Sequence, residues 1–121
     1  MIYYTKDHEW IEVDGDTGTV GISPHAIEQL GDIVFIELPE TDAEVSQGDG
    51  VAVFESVKAA SDIYSPVSGT IIEVNEPLAD DLSSISAENA KQSWLFKIRI
   101  NDASELDSLM DETAYNTLIA E

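Results

Sequence analysis

The chain has 121 residues, no cysteine, and 25 acidic against five basic side chains, for a formal net charge of −20. That length holds one domain with one modest core, and the missing thiols exclude disulfides, thiolate metal sites and a cysteine nucleophile. The charge opposes binding to nucleic acid or anionic membranes and favours steering toward basic docking patches; an acid-rich proteome or a salt-adapted host would give the same composition.

The first ten residues, "MIYYTKDHEW", contain neither an apolar signal core nor an Arg-rich amphipathic stretch. Neither a signal nor a transit peptide is expected there, no run is long and apolar enough to span a membrane, and a cytoplasmic location is the expectation. "HEWIEVDGDTGTVGIS" then predicts a hairpin. Trp10, Ile11 and Val13 lead into the turn cluster "DGDTG", and Thr19 to Ile22 returns. Ser23 and Pro24 read as an N-cap and a first-turn proline. They open a short helix from Pro24 to Leu30 that Gly31 ends, with Ile27 and Leu30 toward the core.

"DIVFIELPE" predicts a strand ended by Pro39, and "TDAEVSQGDG" a polar turn region. Strands are expected over Val51 to Val57 and Ile63 to Val67, then over "GTIIEVN" after a turn at Ser68 and Gly69. In "SWLFKIRI", strict alternation puts Trp94, Phe96, Ile98 and Ile100 on one face. The tail changes period. Leu106, Leu109 and Met110 recur at helical spacing, with Ser104 and Thr113 as candidate caps. The pattern predicts one domain over 1–121, with a β core over about 17–100 and a helical extension over about 103–120.

Most chemical signatures are absent. The two histidines, His8 and His25, have no second ligand at zinc spacing. Gly48 and Gly50 lack the Lys-Ser pair and following helix of a phosphate loop, and no G-x-S-x-G elbow exists. The acids are scattered, so a solvated surface accounts for them better than an acid–base pair. Lys58 differs. It falls between two β-prone runs in "AVFESVKAASDIYSPVSG", flanked by small residues that would not crowd an incoming active site. A group attached at such a hairpin tip could swing and be reached by several enzymes. A short helix over "ESVKAAS" is the competing local reading.

The chain resembles the H proteins of the glycine cleavage system, which carry lipoyl groups. The resemblance spans almost the full length. It rests on His8-Glu9-Trp10, Val20 to Ser23 ("VGIS"), Leu30 to Glu40 ("LGDIVFIELPE"), Glu55 to Gly69 ("ESVKAASDIYSPVSG"), Glu73 to Asn75 ("EVN") and Ser93 to Ile98 ("SWLFKI"). It implies a mainly β, barrel-sandwich hybrid fold of the lipoyl/biotinyl type, with a short internal helix and C-terminal helices. It also implies a carrier rather than an enzyme. Lipoate would be amide-linked to Lys58, and Glu55 would be the acid read by a lipoyl ligase or transferase. Glu9 and Asp62 would line the cleft that receives the loaded arm and would keep its amine protonated.

The implied partners are the glycine decarboxylase, the aminomethyltransferase and dihydrolipoyl dehydrogenase, with no nucleic acid, membrane or metal. The alternatives are a lipoyl-relay donor to 2-oxo acid dehydrogenases, an unmodified adaptor, and a biotinyl carrier. The last is opposed by Val57 and Ala59, which stand where biotinyl domains place methionines. One stretch departs from the family. Between Leu82 and Trp94, "SSISAENAKQS" replaces the usual Asn, Pro-Tyr and Gly, and favours a helical turn.

Overall fold

A computed structural model describes residues 2–80, 82 and 94–120. Among these residues, nine strands form two antiparallel sheets. The larger takes β1 (Ile2–Tyr4), β2 (Glu9–Asp14), β3 (Thr17–Ile22), β9 (Phe96–Ile100), β8 (Gly69–Val74) and β5 (Glu44–Val45), in that spatial order. The smaller takes β4 (Ile33–Glu37), β6 (Gly50–Ser56) and β7 (Ala60–Tyr64). Ile11, Val20 and Ile98 of the first sheet and Ile36, Phe54 and Ile63 of the second meet in one buried cluster. The architecture is the mainly β barrel-sandwich hybrid, with helices added at its margins.

The first hairpin forms as the turn chemistry requires. Asp14 pairs with Thr17, and Gly15 takes φ 66°, a left-handed backbone that glycine adopts without a Cβ clash. Trp10 lies opposite Gly21, so its indole packs flat over the strand and donates Nε1–H to the Ile22 carbonyl at 2.9 Å. Helix α1 (Pro24–Leu30) has the expected ends. Ser23 Oγ accepts the Ala26 N–H, Pro24 sits in the first turn, and Gly31 follows with φ 77°.

Several expectations are corrected. The strand expected over Ile63 to Val67 lies instead at Ala60–Tyr64. A turn from Ser56 to Ala59, closed by the Ser56 N–H to the Ala59 carbonyl at 2.8 Å, brings Ala60 into register with Glu55. Pro66 has no N–H to continue a ladder, and the chain turns away at Ser65. Trp94 lies before β9 and is half-buried under Lys97, while Leu95 is buried in its place. β1 and β5, unmarked in the sequence pattern, are strands. A further short helix, α2, covers Glu76–Asp80.

The tail is a 3-10 helix (Ala103–Ser108) followed by α3 (Glu112–Ala120). Its caps are Asp102 and Asp111, which accept the N–H groups of Ser104 and Ala114, and not Ser104 and Thr113. A carboxylate placed two residues earlier is the better acceptor for free first-turn donors. Tyr115 of α3 stacks on Tyr4 with ring centroids 4.3 Å apart, which returns the tail to β1. The helical turn expected between Leu82 and Trp94 lies outside the described residues.

Candidate functional site

Lys58 sits in the turn joining β6 to β7, and its side chain is exposed. The turn is built locally by Ser56. Its Oγ accepts the N–H groups of Lys58 at 3.2 Å and Ala59 at 3.1 Å and donates to the Ala59 carbonyl at 3.1 Å. A second anchor comes from outside the hairpin. The Val57 N–H donates to the Asp32 carbonyl at 3.2 Å, tying the turn to the segment after α1. The lysine therefore does not stand clear of the body. Its stem crosses Gly31, where an added Cβ would meet Lys58 Cε at 3.4 Å and Nζ at 3.6 Å.

Beside the turn lies a cleft of about 290 Å³, walled by Ile22, Ala26 and Leu30 on one side and by Ala59, Ala60 and Ile63 on the other. Asp7 and His8 stand at its end. Asp7 also lines a second cleft of about 400 Å³, which contains Glu9, Tyr64, Gln47 and Met110. The two depressions thus share Asp7, and the smaller reaches the lysine turn at Ala59.

Glu9 is 1% exposed. Its carboxylate accepts the Thr5 hydroxyl at 2.8 Å and the Tyr64 N–H at 2.9 Å. Burial outweighs these two bonds, and the nearby Asp7 charge adds to it, so the carboxyl is pushed up from 4.5 to about 7. Glu9 is therefore poised to hold or release a proton near neutrality. Thr5 also anchors the loop itself, accepting the N–H groups of Asp7 and Glu9 on its Oγ1.

Asp62 is exposed on the outer face of β7, opposite Val53, and lines a different cleft of about 470 Å³ with Glu37, Pro39 and Glu40. Glu9 and Asp62 thus flank β7 without sharing a cleft. Glu55 is exposed on β6, where it pairs with both Phe35 and Ala60. Among the described residues no cluster of three or more His, Asp or Glu could hold a metal.

His8, which the sequence showed only as part of the His8-Glu9-Trp10 match, Thr5 and the Tyr64 backbone complete the site. His8 has φ 71°, a left-handed backbone unusual for a side chain of its size, and it precedes Glu9 directly. Its Nδ1 shares a hydrogen bond with the Tyr115 hydroxyl at 2.8 Å, and that hydroxyl lies 2.6 Å from Ser23 Oγ. One tyrosine from the C-terminal helix therefore joins the Glu9 loop to the cap of α1. Burial, with the facing His25 ring, lowers the His8 pKa below its ordinary range, against an opposing pull from Asp7. Thr5 and the Tyr64 backbone carried no sequence signal, because their roles arise only from pairing across the fold.

A family model described as glycine cleavage H-protein matches residues 2–121. The glycine cleavage system H protein of Phenylobacterium zucineum is 51% identical over 117 residues, covering 97% of each chain. That of Escherichia coli O7:K1 is 56% identical over 117 residues, covering 96% of this chain and 91% of its own. The crystal structure of the glycine cleavage system H protein from Mycobacterium marinum superimposes with a TM-score of 0.88 at 35% identity, covering 99% and 97% of the two chains. The chain belongs to the glycine cleavage H-protein family, the lipoyl-carrying shuttles of the glycine cleavage system.

Proposed function

We propose that Lys58 is the residue to which lipoate is attached, and that the chain works as a carrier rather than as a catalyst. The observation that carries this reading is the setting of Lys58. It is an exposed amine on a short turn locked by Ser56 and Asp32, beside an open cleft with mainly apolar walls. That setting fits the group. Acylation removes the ammonium charge, and the neutral arm then has an apolar surface to lie on. When bound, lipoate supplies a disulfide that can accept the aminomethyl group left by glycine decarboxylation and can be regenerated by oxidation.

The chain's own residues present the arm and tune its surroundings. Ser56 and Asp32 hold the turn, which fixes the origin of the arm. Docking of the body raises the effective concentration of a tethered group at each partner. The partners we propose are the glycine decarboxylase, the aminomethyltransferase, dihydrolipoyl dehydrogenase and a lipoyl ligase or transferase. Glu55 is the acid that the attaching enzyme reads.

Glu9 supplies the protective chemistry. Near neutrality its carboxyl can give a proton to an amine brought into the cleft and, once ionised, hold the resulting ammonium in a setting poor in water. Asp62 adds negative charge on the outer side of β7. A protonated amine cannot use its lone pair to expel a thiolate, so Glu9 guards against loss of the one-carbon unit, and Asp62, which lies outside that cleft, adds only a longer-range charge.

Intact-mass measurement of protein from its host, followed by peptide mapping, tests the attachment. One lipoyl group on Lys58 is expected. Its placement on Lys6, Lys91 or Lys97, a biotinyl mass, or no addition would overturn the reading. Spontaneous ammonia release from the loaded protein tests the guard. Faster release is expected in Glu9→Gln and, less strongly, in Asp62→Asn, and unchanged release in both would remove it.

A further inference from the structure

Three of the five large apolar side chains exposed among the described residues lie at the lysine turn. Val34 is 54% exposed, Phe35 49% and Val57 68%. A simple alternating strand would not produce this. Between Ile33 and Phe35 the register of β4 on β6 slips by one residue, with Ile33 opposite Ser56 and Phe35 opposite Glu55. The bulge leaves Val34 and Phe35, two consecutive residues, both facing solvent before Ile36 returns to the core. Val57 joins them because its N–H is held by the Asp32 carbonyl at the start of the same strand.

Apart from Lys58 itself, the charged side chains around this patch that belong to its own strands and turns are acids. Asp32, Glu37 and Glu55 are exposed at its border. Of the chain's five basic residues only Lys58 belongs to this small sheet or its turns. A contiguous apolar surface with such a rim fits a partner that offers an apolar face ringed by Lys or Arg.

We propose that the bulged surface of Val34, Phe35 and Val57 is the docking face for the enzyme that attaches lipoate to Lys58. This inference rests on Lys58 being the attachment site. The other partners act at the far end of a long flexible arm and need not touch its root. The attaching enzyme must bring its own active site to Nζ, one residue from Val57. In that step Nζ loses its ammonium proton to solvent and attacks the carbonyl carbon of an acyl adenylate of lipoate. The amide C–N bond forms as the C–O bond to phosphate breaks. AMP leaves with the electron pair, and the second N–H proton passes to solvent. A bulge fits this role, since it re-aims side chains and blunts a free strand edge against unwanted pairing.

The test measures lipoylation of the full apo chain by an adenylate-forming lipoyl ligase supplied with lipoate and ATP, read by intact mass. Phe35→Ser and Val57→Ser should each raise KM for the chain roughly tenfold, with kcat within about twofold, as for loss of an apolar anchor. Phe35→Leu should restore most of the loss. Leu118→Ser, which removes an exposed apolar residue on α3, should change nothing. All variants should melt with the parent, because these side chains pack little. Unchanged KM in both serine variants, with a parent that gains one lipoyl group on Lys58, would overturn the docking face and leave the attachment reading intact. A parent that gains no lipoyl mass would overturn both. Two results would assign the patch elsewhere and overturn the proposal. One is unchanged lipoylation with impaired turnover by the decarboxylase. The other is a parent dimer in sedimentation that Phe35→Ser dissociates.

Discussion

The carboxylate of Glu9 accepts the backbone N–H of Tyr64 at 2.9 Å, across 55 positions of chain. This bond ties the N-terminal sheet to the strand that leaves the lysine turn. It also keeps a carboxyl where water scarcely reaches it. The folded protein holds the Glu9 proton up to about pH 7, whereas an unfolded chain releases it near 4.5. Between those values the folded state binds more protons, so stability falls as pH rises through the window. The loss is on the order of 3 kcal/mol by pH 8. Glu9→Gln should remove this slope. Its amide oxygen can still accept from Tyr64, and because Thr5 Oγ1 already accepts the Asp7 and Glu9 N–H groups, the lost Thr5 bond lowers stability alike at both pH values and leaves the slope as the readout. Denaturant melts of parent and variant at pH 5 and pH 8 check it, and equal slopes would contradict the burial argument.

Lys58→Arg should leave the fold intact, within about 0.5 kcal/mol, because the side chain is exposed and its stem only crosses Gly31. The same variant should accept no lipoyl group and support no glycine cleavage. Intact mass and a coupled glycine assay read the two effects separately from a thermal melt.

Tyr115→Phe should loosen the tail without unfolding the sheets. The change keeps the stack on Tyr4 but removes the hydroxyl that meets both His8 and Ser23. The buried Ser23 and the partly buried His8 each lose a partner, at a cost of about 1–2 kcal/mol. Hydrogen exchange should rise first in α3 and in the loop that carries His8. Protection equal to the parent in both places would show that the hydroxyl contributes nothing.

Gly69→Ala should be severely destabilising, by about 3 kcal/mol or more. A Cβ there would collide with the Arg99 carbonyl of the neighbouring strand, which is backbone and cannot swing away. Gly50→Ala provides the contrast, since nothing lies within 4 Å of its added Cβ. That variant should stay within about 0.5 kcal/mol of the parent. Chemical denaturation of both proteins separates the outcomes.

Association with the decarboxylase proposed above as a partner should weaken as salt rises, because a net charge of −20 steers the chain toward basic surfaces. Raising ionic strength until the Debye length falls from about 30 Å to about 8 Å should slow association more than dissociation. A flat profile would mean that apolar contacts dominate docking.

Much of this protein was legible in the linear chain because the responsible physics is local. The Ser23-Pro24 start and Gly31 end of α1 depend on groups within four residues of one another. Turn chemistry at Gly15, and alternation at Phe96, Ile98 and Ile100, likewise act over short spans. Lys58 stood out because a lone cation between two β-prone runs is conspicuous in so acidic a chain. What tertiary structure alone decided depends on pairing between distant segments. β1 exists because Ile2 pairs with Glu12 and Tyr4 bridges to Met110. The bulge that exposes Phe35 is a property of two strands in register, and a single strand read by itself shows only an apolar run. Nothing in the linear order of 25 acids marks Glu9 as the one that is buried among the described residues. Its raised pKa requires Thr5 and Tyr64 to close around it, and desolvation is a consequence of packing that no span of neighbouring residues encodes.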